Sequence, residues 1–298
     1  MMKQQLQNKR QSFSWRRIKP SKGLILTIPY FLLTIFLFIV PLVVVLVTAF
    51  KGAQHPNVGE MNVADNWDVL TQTIGLKIWN TIWISCLSTF IGLLIAFPFT
   101  YFLAKAKNVV LKVIAIALIT APIWMTMLIK LIGIKTFLDV LHGHNNSTYG
   151  HFYTIIGHVF IYMPFMLLPL YTALSHMPKN LEQASYDLGR GHIYTFFHIT
   201  IPYVRNALIS GVTVMFLSCL TSVVISGFMN MSNDSGLLGG LILNLGEGGI
   251  SNPAQLSRAA TLTLMISVVI LAMYVIFLII PKLIIKAYKK AQIKKGAL

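Results

Sequence analysis

Six stretches of the chain carry no Asp, Glu, Lys or Arg: residues 24–50, 78–104, 113–129, 152–177, 206–231 and 259–281. Five of them are 23 to 27 residues long and the third is 17; a helix crossing a bilayer needs about 20. Backbone N–H and C=O groups in lipid find no water, so runs of this length must pair internally as helices. A transmembrane barrel would show segments of about 10 residues with alternating hydrophobicity, and no such alternation is present. The third run continues past Lys130 to about residue 134, with the long lysine side chain either snorkelling or facing the bundle interior. The pattern predicts an all-α polytopic membrane protein with six transmembrane helices, over 24–50, 78–104, 113–134, 152–177, 206–231 and 259–281. The first span follows a basic leader and is too long for the apolar region of a secretory signal, so it reads as an uncleaved anchor. Pro29 and Pro41 within it predict kinks or an irregular start.

Composition agrees. Hydrophobic residues make up 56% of the 298 and charged residues 11%, against about 25% charged in soluble proteins. The formal charge of +16 raises nucleic acid as a partner, but the placement of the bases argues for lipid. Of 24 Lys and Arg, 19 fall in segments 1–23, 105–112, 178–205 and 282–298, and five in 51–77, 130–151 and 232–258. Six of the eight acids lie in the second group; only Glu182 and Asp187 lie in the first. The positive-inside rule therefore puts both termini in the cytoplasm, as an even number of spans also requires. The bases flank spans and meet anionic headgroups there, and no nucleic-acid motif accompanies them. The chain divides into a basic cytoplasmic segment 1–23, a six-helix domain 24–285 with a cytoplasmic loop at 178–205, and a basic tail 286–298.

The spans are poor in chemistry. They hold no carboxylate, which an ion-coupled carrier ordinarily needs at membrane depth. Their histidines are His158 and His176, and a lone intramembrane histidine reads first as a hydrogen-bonded structural residue. Cys86 and Cys219 lie in apolar runs and read as small buried hydrophobes. No Asp pair, Gly-x-Ser-x-Gly or His-Glu-x-x-His is present, so the chain is not expected to be an enzyme. None of the 20 glycines is followed by lysine, which excludes a P-loop; energy for active transport must come from another polypeptide. His142, His144 and His151, with Asp139 nearby, are donors a metal could use, but in a polar loop they read as surface residues. No metal or cofactor is expected.

Loop 178–205 is the most informative segment. Asn180 followed by Gln183 reads as an N-cap pairing, Gly189 and Gly191 as a stop, with a helix of about two turns between them. Leu181, Ala184 and Leu188 fall on one face. A second apolar helical piece follows, with Ile193, Phe196, Phe197 and Ile199, and Pro202 is expected to bend the chain toward the fifth span. A helix so short needs a partner surface. That surface is either a groove on another protein, with Glu182 capping or pairing with a partner's base, or the membrane itself.

The order Glu182-Gln183-Ala184, then Asp187-Leu188-Gly189, then Ile201-Pro202, resembles the EAA loop of ABC importer permeases. It departs from that pattern at Gln183, at Arg190-Gly191 and at Asn206. Further stretches resemble the spermidine/putrescine branch of that family, in its first-subunit type: Phe102-Leu103-Ala104-Lys105, Pro122-Ile123-Trp124, Leu128-Ile129-Lys130, Gly133-Ile134-Lys135, Met163-Pro164-Phe165-Met166 and Pro169-Leu170-Tyr171. The likeness runs over residues 24 to 285. It implies a type I (MetI-like) permease fold in the cell membrane, importing polyamines by alternating access. The implied partners are a second permease subunit, a cytoplasmic ATPase dimer and an extracytoplasmic substrate-binding protein. Residues Glu182, Gln183, Ala184, Asp187, Leu188, Gly189 and Pro202 would then form the element that couples to the ATPase. Trp124 and Tyr162 are candidates to line the path of a cation, although aromatics in spans more often pack or anchor at interfaces. The rival readings are an ion-coupled carrier working alone, an ABC permease for another small solute, and a membrane scaffold that moves nothing.

Overall fold

The computed structural model describes residues 22–50, 63–142, 149–229, 237–249 and 253–295, and every element among them is helical. Residues 1–21 of the basic leader, the end of the tail from 296, and His144 lie outside the described residues. Helix α1 covers Lys22–Phe50 and runs unbroken through Pro29 and Pro41. It is followed by α2, Val63–Lys105, α3, Val109–Trp124, and α4, Met127–His142. Then come α5, Gly150–Ser175, α6, Lys179–Asp187, α7, His192–Thr195, and α8, Ile201–Leu220. The chain ends with α9, Val223–Met229, α10, Leu238–Gly249, and α11, Pro253–Lys295. The described residues fall into two compact units, one ending at Val47 and the other beginning at Thr48.

Among the described residues, five helical stretches are long and apolar enough to cross a membrane: Thr27–Phe50, Ile74–Lys105, Gly150–Ser175, His192–Leu220 and Gln255–Ile276. The sixth expected span is not one rod. Over the predicted 113–134, helices α3 and α4 meet at a bend of 105°. Met125 sits in an extended conformation there, with ψ 146°. Pro122 has no N–H to continue the ladder, and it weakens the turn that precedes the bend. The predicted fifth span, 206–231, is interrupted at Thr221–Ser222 between α8 and α9. Both the N–H and the hydroxyl of Thr221 go to the Leu217 carbonyl, at 3.0 and 2.9 Å, which closes the helix. The basic tail expected from 286 continues α11 as far as Lys295, in a Lys- and Ala-rich stretch that favours helix.

Among the described residues of the second unit, three apolar clusters hold the helices together. The largest joins Ala96 and Phe97 of α2, Met166, Leu167, Leu170 and Leu174 of α5, and Val204, Met215 and Cys219 of α8. A second joins Leu131 and Leu138 of α4, Tyr153 and Ile161 of α5, and Ile225 and Met229 of α9. The third joins Ile74 to Leu238, Leu262 and Ile266. Close packing of α5 and α8 depends on Gly211: a Cβ there would stand 3.0 Å from Met166 Cγ and 3.2 Å from its carbonyl oxygen, the kind of approach small residues permit between membrane helices. The end of α2 is fastened from α3, where Lys112 Nζ donates to the Ala104 carbonyl at 2.9 Å.

Candidate functional site

The connector between α5 and α8 is built around α6. Pro178 stands at its N-cap with φ −62° and ψ 127°, and no side chain caps the helix. The expected Asn180–Gln183 cap is therefore not formed. Proline's fixed φ suits a helix start, so the helix opens at Lys179 and Asn180 lies inside the first turn. Glu182 also falls in that turn, where the helix dipole favours a negative charge. The expected stop is in place. Gly189 has φ +74°, its N–H reaches the Tyr186 carbonyl at 2.8 Å, and the Arg190 N–H reaches Ser185 at 3.1 Å. This is a Schellman termination, which needs a residue at ease in the left-handed region.

α6 has two unlike faces. Ser185 is buried, and its hydroxyl shares a 2.8 Å hydrogen bond with that of Thr195. Glu182 also points inward: Oε2 lies 2.7 Å from Lys105 Nζ at the end of α2, and Oε1 accepts a 3.1 Å hydrogen bond from the Thr200 hydroxyl. Lys105 is shared further, donating to the Tyr101 hydroxyl and lying 4.0 Å from the centre of that ring. A cavity of about 280 Å³ opens beside the pair, lined by Tyr101, Lys105, Leu174, Met177, Glu182 and Tyr186. Burial raises the Tyr186 phenol above its ordinary pKa. The opposite face, with Leu181, Gln183, Ala184, Asp187 and Leu188, is exposed. Leu188 reaches 81% exposure, and Ile193 and Phe197 beyond it stand clear as well.

Two further expectations for this segment are corrected. Glu182 has its basic partner within its own chain. Pro202 does not turn the path of the helix: it sits in the first turn of α8, inside a continuous helical stretch His192–Leu220. A π-turn over Phe196–Thr200 precedes it, with the Ile201 N–H bonded back to the Phe196 carbonyl. The wider turn shifts the register just ahead of the residue that has no donor to offer. Lys105, Ser185, Thr195 and Thr200 were not singled out by spacing. The one sequence signal was Glu182 itself, an acid on the base-rich side of the chain.

Trp124 and Tyr162 occupy different settings. Trp124 ends α3 at the bend and is 87% exposed. Tyr162 is half-buried in α5, against the first two apolar clusters, with its ring centre 6.0 Å from that of His158.

This arrangement of helices recurs among ABC importers of known structure. It matches a chain of the methionine ABC transporter MetNI, solved in inward-facing conformations, with a TM-score of 0.56 at 17% identity, covering 74% of this chain and 98% of that one. It also matches a chain of a bacterial ABC transporter involved in import of the acidic polysaccharide alginate, with a TM-score of 0.67 at 14% identity, covering 87% and 94%. The fold is that of an ABC importer permease. A family profile described as "Binding-protein-dependent transport system inner membrane component" matches residues 88–290, and the chain belongs to that family. It is 35% identical to the "Spermidine/putrescine transport system permease protein PotB homolog" of Mycoplasma genitalium, over 87% of this chain and 92% of that protein. The Mycoplasma pneumoniae protein of the same name is 36% identical, over 90% and 95%. The Escherichia coli permease protein PotB is 28% identical, over 62% and 71%.

Proposed function

We propose that this chain is one of two permease subunits of an ATP-driven polyamine importer, with α6 as the element that a cytoplasmic ATPase grips. The observation that carries this reading is the asymmetry of α6. Its inner face is tied to α2 and to the π-turn through Glu182 and Ser185, while its apolar outer face, Leu181, Ala184 and Leu188, is left bare. A helix of nine residues with an uncovered apolar face is marginal in water and suited to a groove. The ATPase pair would move α6 as it closes on ATP, and the tie at Glu182 would pass that motion into the bundle as a rigid-body change. Polyamine as cargo rests on the names of the relatives. An extracytoplasmic binding protein would deliver it, and a second permease would complete the pathway. The base-rich segments support a cytoplasmic location for both termini and α6, and exposed apolar side chains such as Phe31 and Phe36 would meet lipid or the second permease.

The test is co-purification from native membranes. An ATPase subunit is expected with the full chain and is expected to be lost on Gly189→Asp. Reconstituted with its partners, the complex should take up spermidine or putrescine only with ATP. Uptake by the isolated chain driven by an ion gradient, or no ATPase in the purified complex, would overturn the reading.

A further inference from the structure

Where α2, α5 and the break between α8 and α9 meet, three buried polar atoms have no hydrogen-bond partner among the described residues: Ser85 Oγ, His158 Nε2 and Ser222 Oγ. Their residues are 0%, 3% and 7% exposed. Buried polar groups are nearly always satisfied, and three orphans among neighbouring helices call for an explanation. His158 is held from one side only, with Nδ1 3.4 Å from the Ser88 hydroxyl, and its other nitrogen is left unanswered. Ser222 stands in the two-residue gap between α8 and α9; the Tyr162 phenol lies beside it but without the geometry of a hydrogen bond. The gap also ends α8, whose last carbonyls carry the partial negative charge of a helix C-terminus. Broken helices at membrane depth are where transporters place such ends against cations.

The geometry points to an internal acceptor site, formed by Ser85, His158 and Ser222, for one small N–H or O–H donor: an amine of the cargo in passage, or a water molecule. The imidazole and hydroxyls can accept and orient such a donor. With no carboxylate in the six uncharged runs, they hold a cation weakly, which suits a step on a path better than a storage site. The amine as guest rests on the importer reading; the site itself does not.

The experiment uses the full chain assembled with its partners in proteoliposomes. Ser85→Ala, Ser222→Ala and His158→Phe are compared with the parent, with His158→Gln as a conservative variant that keeps hydrogen-bonding atoms. Two quantities are read: KM for ATP-driven spermidine uptake, and the thermal unfolding midpoint of the complex. A cargo amine at the site predicts that KM rises by about tenfold in Ser222→Ala and His158→Phe, the scale of one hydrogen bond to a charged donor, and recovers in His158→Gln. A bound water predicts an unmoved KM and a lowered midpoint in each alanine variant. An unmoved KM with an unchanged or raised midpoint overturns the site, because removing truly orphaned polar groups is neutral or stabilising. If the parent complex moves no polyamine, the importer reading fails, while the midpoints still decide whether the site holds a guest.

Discussion

Glu182 shows how one side chain can serve a motif from the inside. Its carboxylate is 14% exposed, while Lys105 keeps 40% of its side chain in water. Solvent screens the pair, so its net worth is about 1 kcal/mol; its value is geometric, because it joins the connector to the last turn of α2. Reversing one charge leaves two like charges in the joint. We expect Glu182→Lys and Lys105→Glu each to lower ATP-driven uptake by about tenfold, and the double reversal to recover most of it. Uptake by the four proteins of this cycle, measured in proteoliposomes with the same ATPase, checks the point. Losses that simply add would show that Glu182 acts on something other than Lys105.

At the scale of the element, α6 depends on its termination. A Cβ at Gly189 would meet nothing within 4 Å, so any cost of substitution lies in the backbone, where φ is +74°. A β-branched residue in that region costs about 1–2 kcal/mol, and asparagine much less. Gly189→Val is therefore expected to fray the last turn and reduce recovery of the ATPase in pull-downs, and Gly189→Asn to retain it; equal recovery from both would refute the termination argument. The stop was legible in the sequence because a left-handed residue after an amphipathic stretch has few substitutes for glycine. The start was not, because Pro178 opens the helix through its fixed φ and leaves Asn180 without a capping role. The positions of uncharged runs were legible, since lipid tolerates little else. The bend between α3 and α4 was not, because both arms are equally apolar and hydropathy carries no direction. Pro202 misleads for a related reason: a proline announces a missing donor, but the π-turn that accommodates it is set by the residues before it. Tertiary partners such as Lys105 and Thr200 leave no periodic trace at all.

At the scale of the molecule, the Lys105–Glu182 contact constrains the membrane topology. Lys105 ends α2, and Glu182 follows α5 by one short connector. If α5 crosses once, its start near His151 lies on the face opposite Glu182, and hence opposite Lys105. The segment from Lys105 to His151 must then carry the chain across, although α3 and α4 meet at 105°; a re-entrant loop would return it to the side it left. The broken pair is therefore expected to count as one crossing. Single cysteines at Lys107, Arg190 and His151, all exposed, test this in a background with Cys86 and Cys219 replaced by alanine. A membrane-impermeant maleimide should label Lys107→Cys and Arg190→Cys only in inverted vesicles, and His151→Cys only in intact cells. Labelling of positions 107 and 151 from the same side would make α3–α4 re-entrant, and the α2–α6 ion pair could not then bridge two ends of a once-crossing α5.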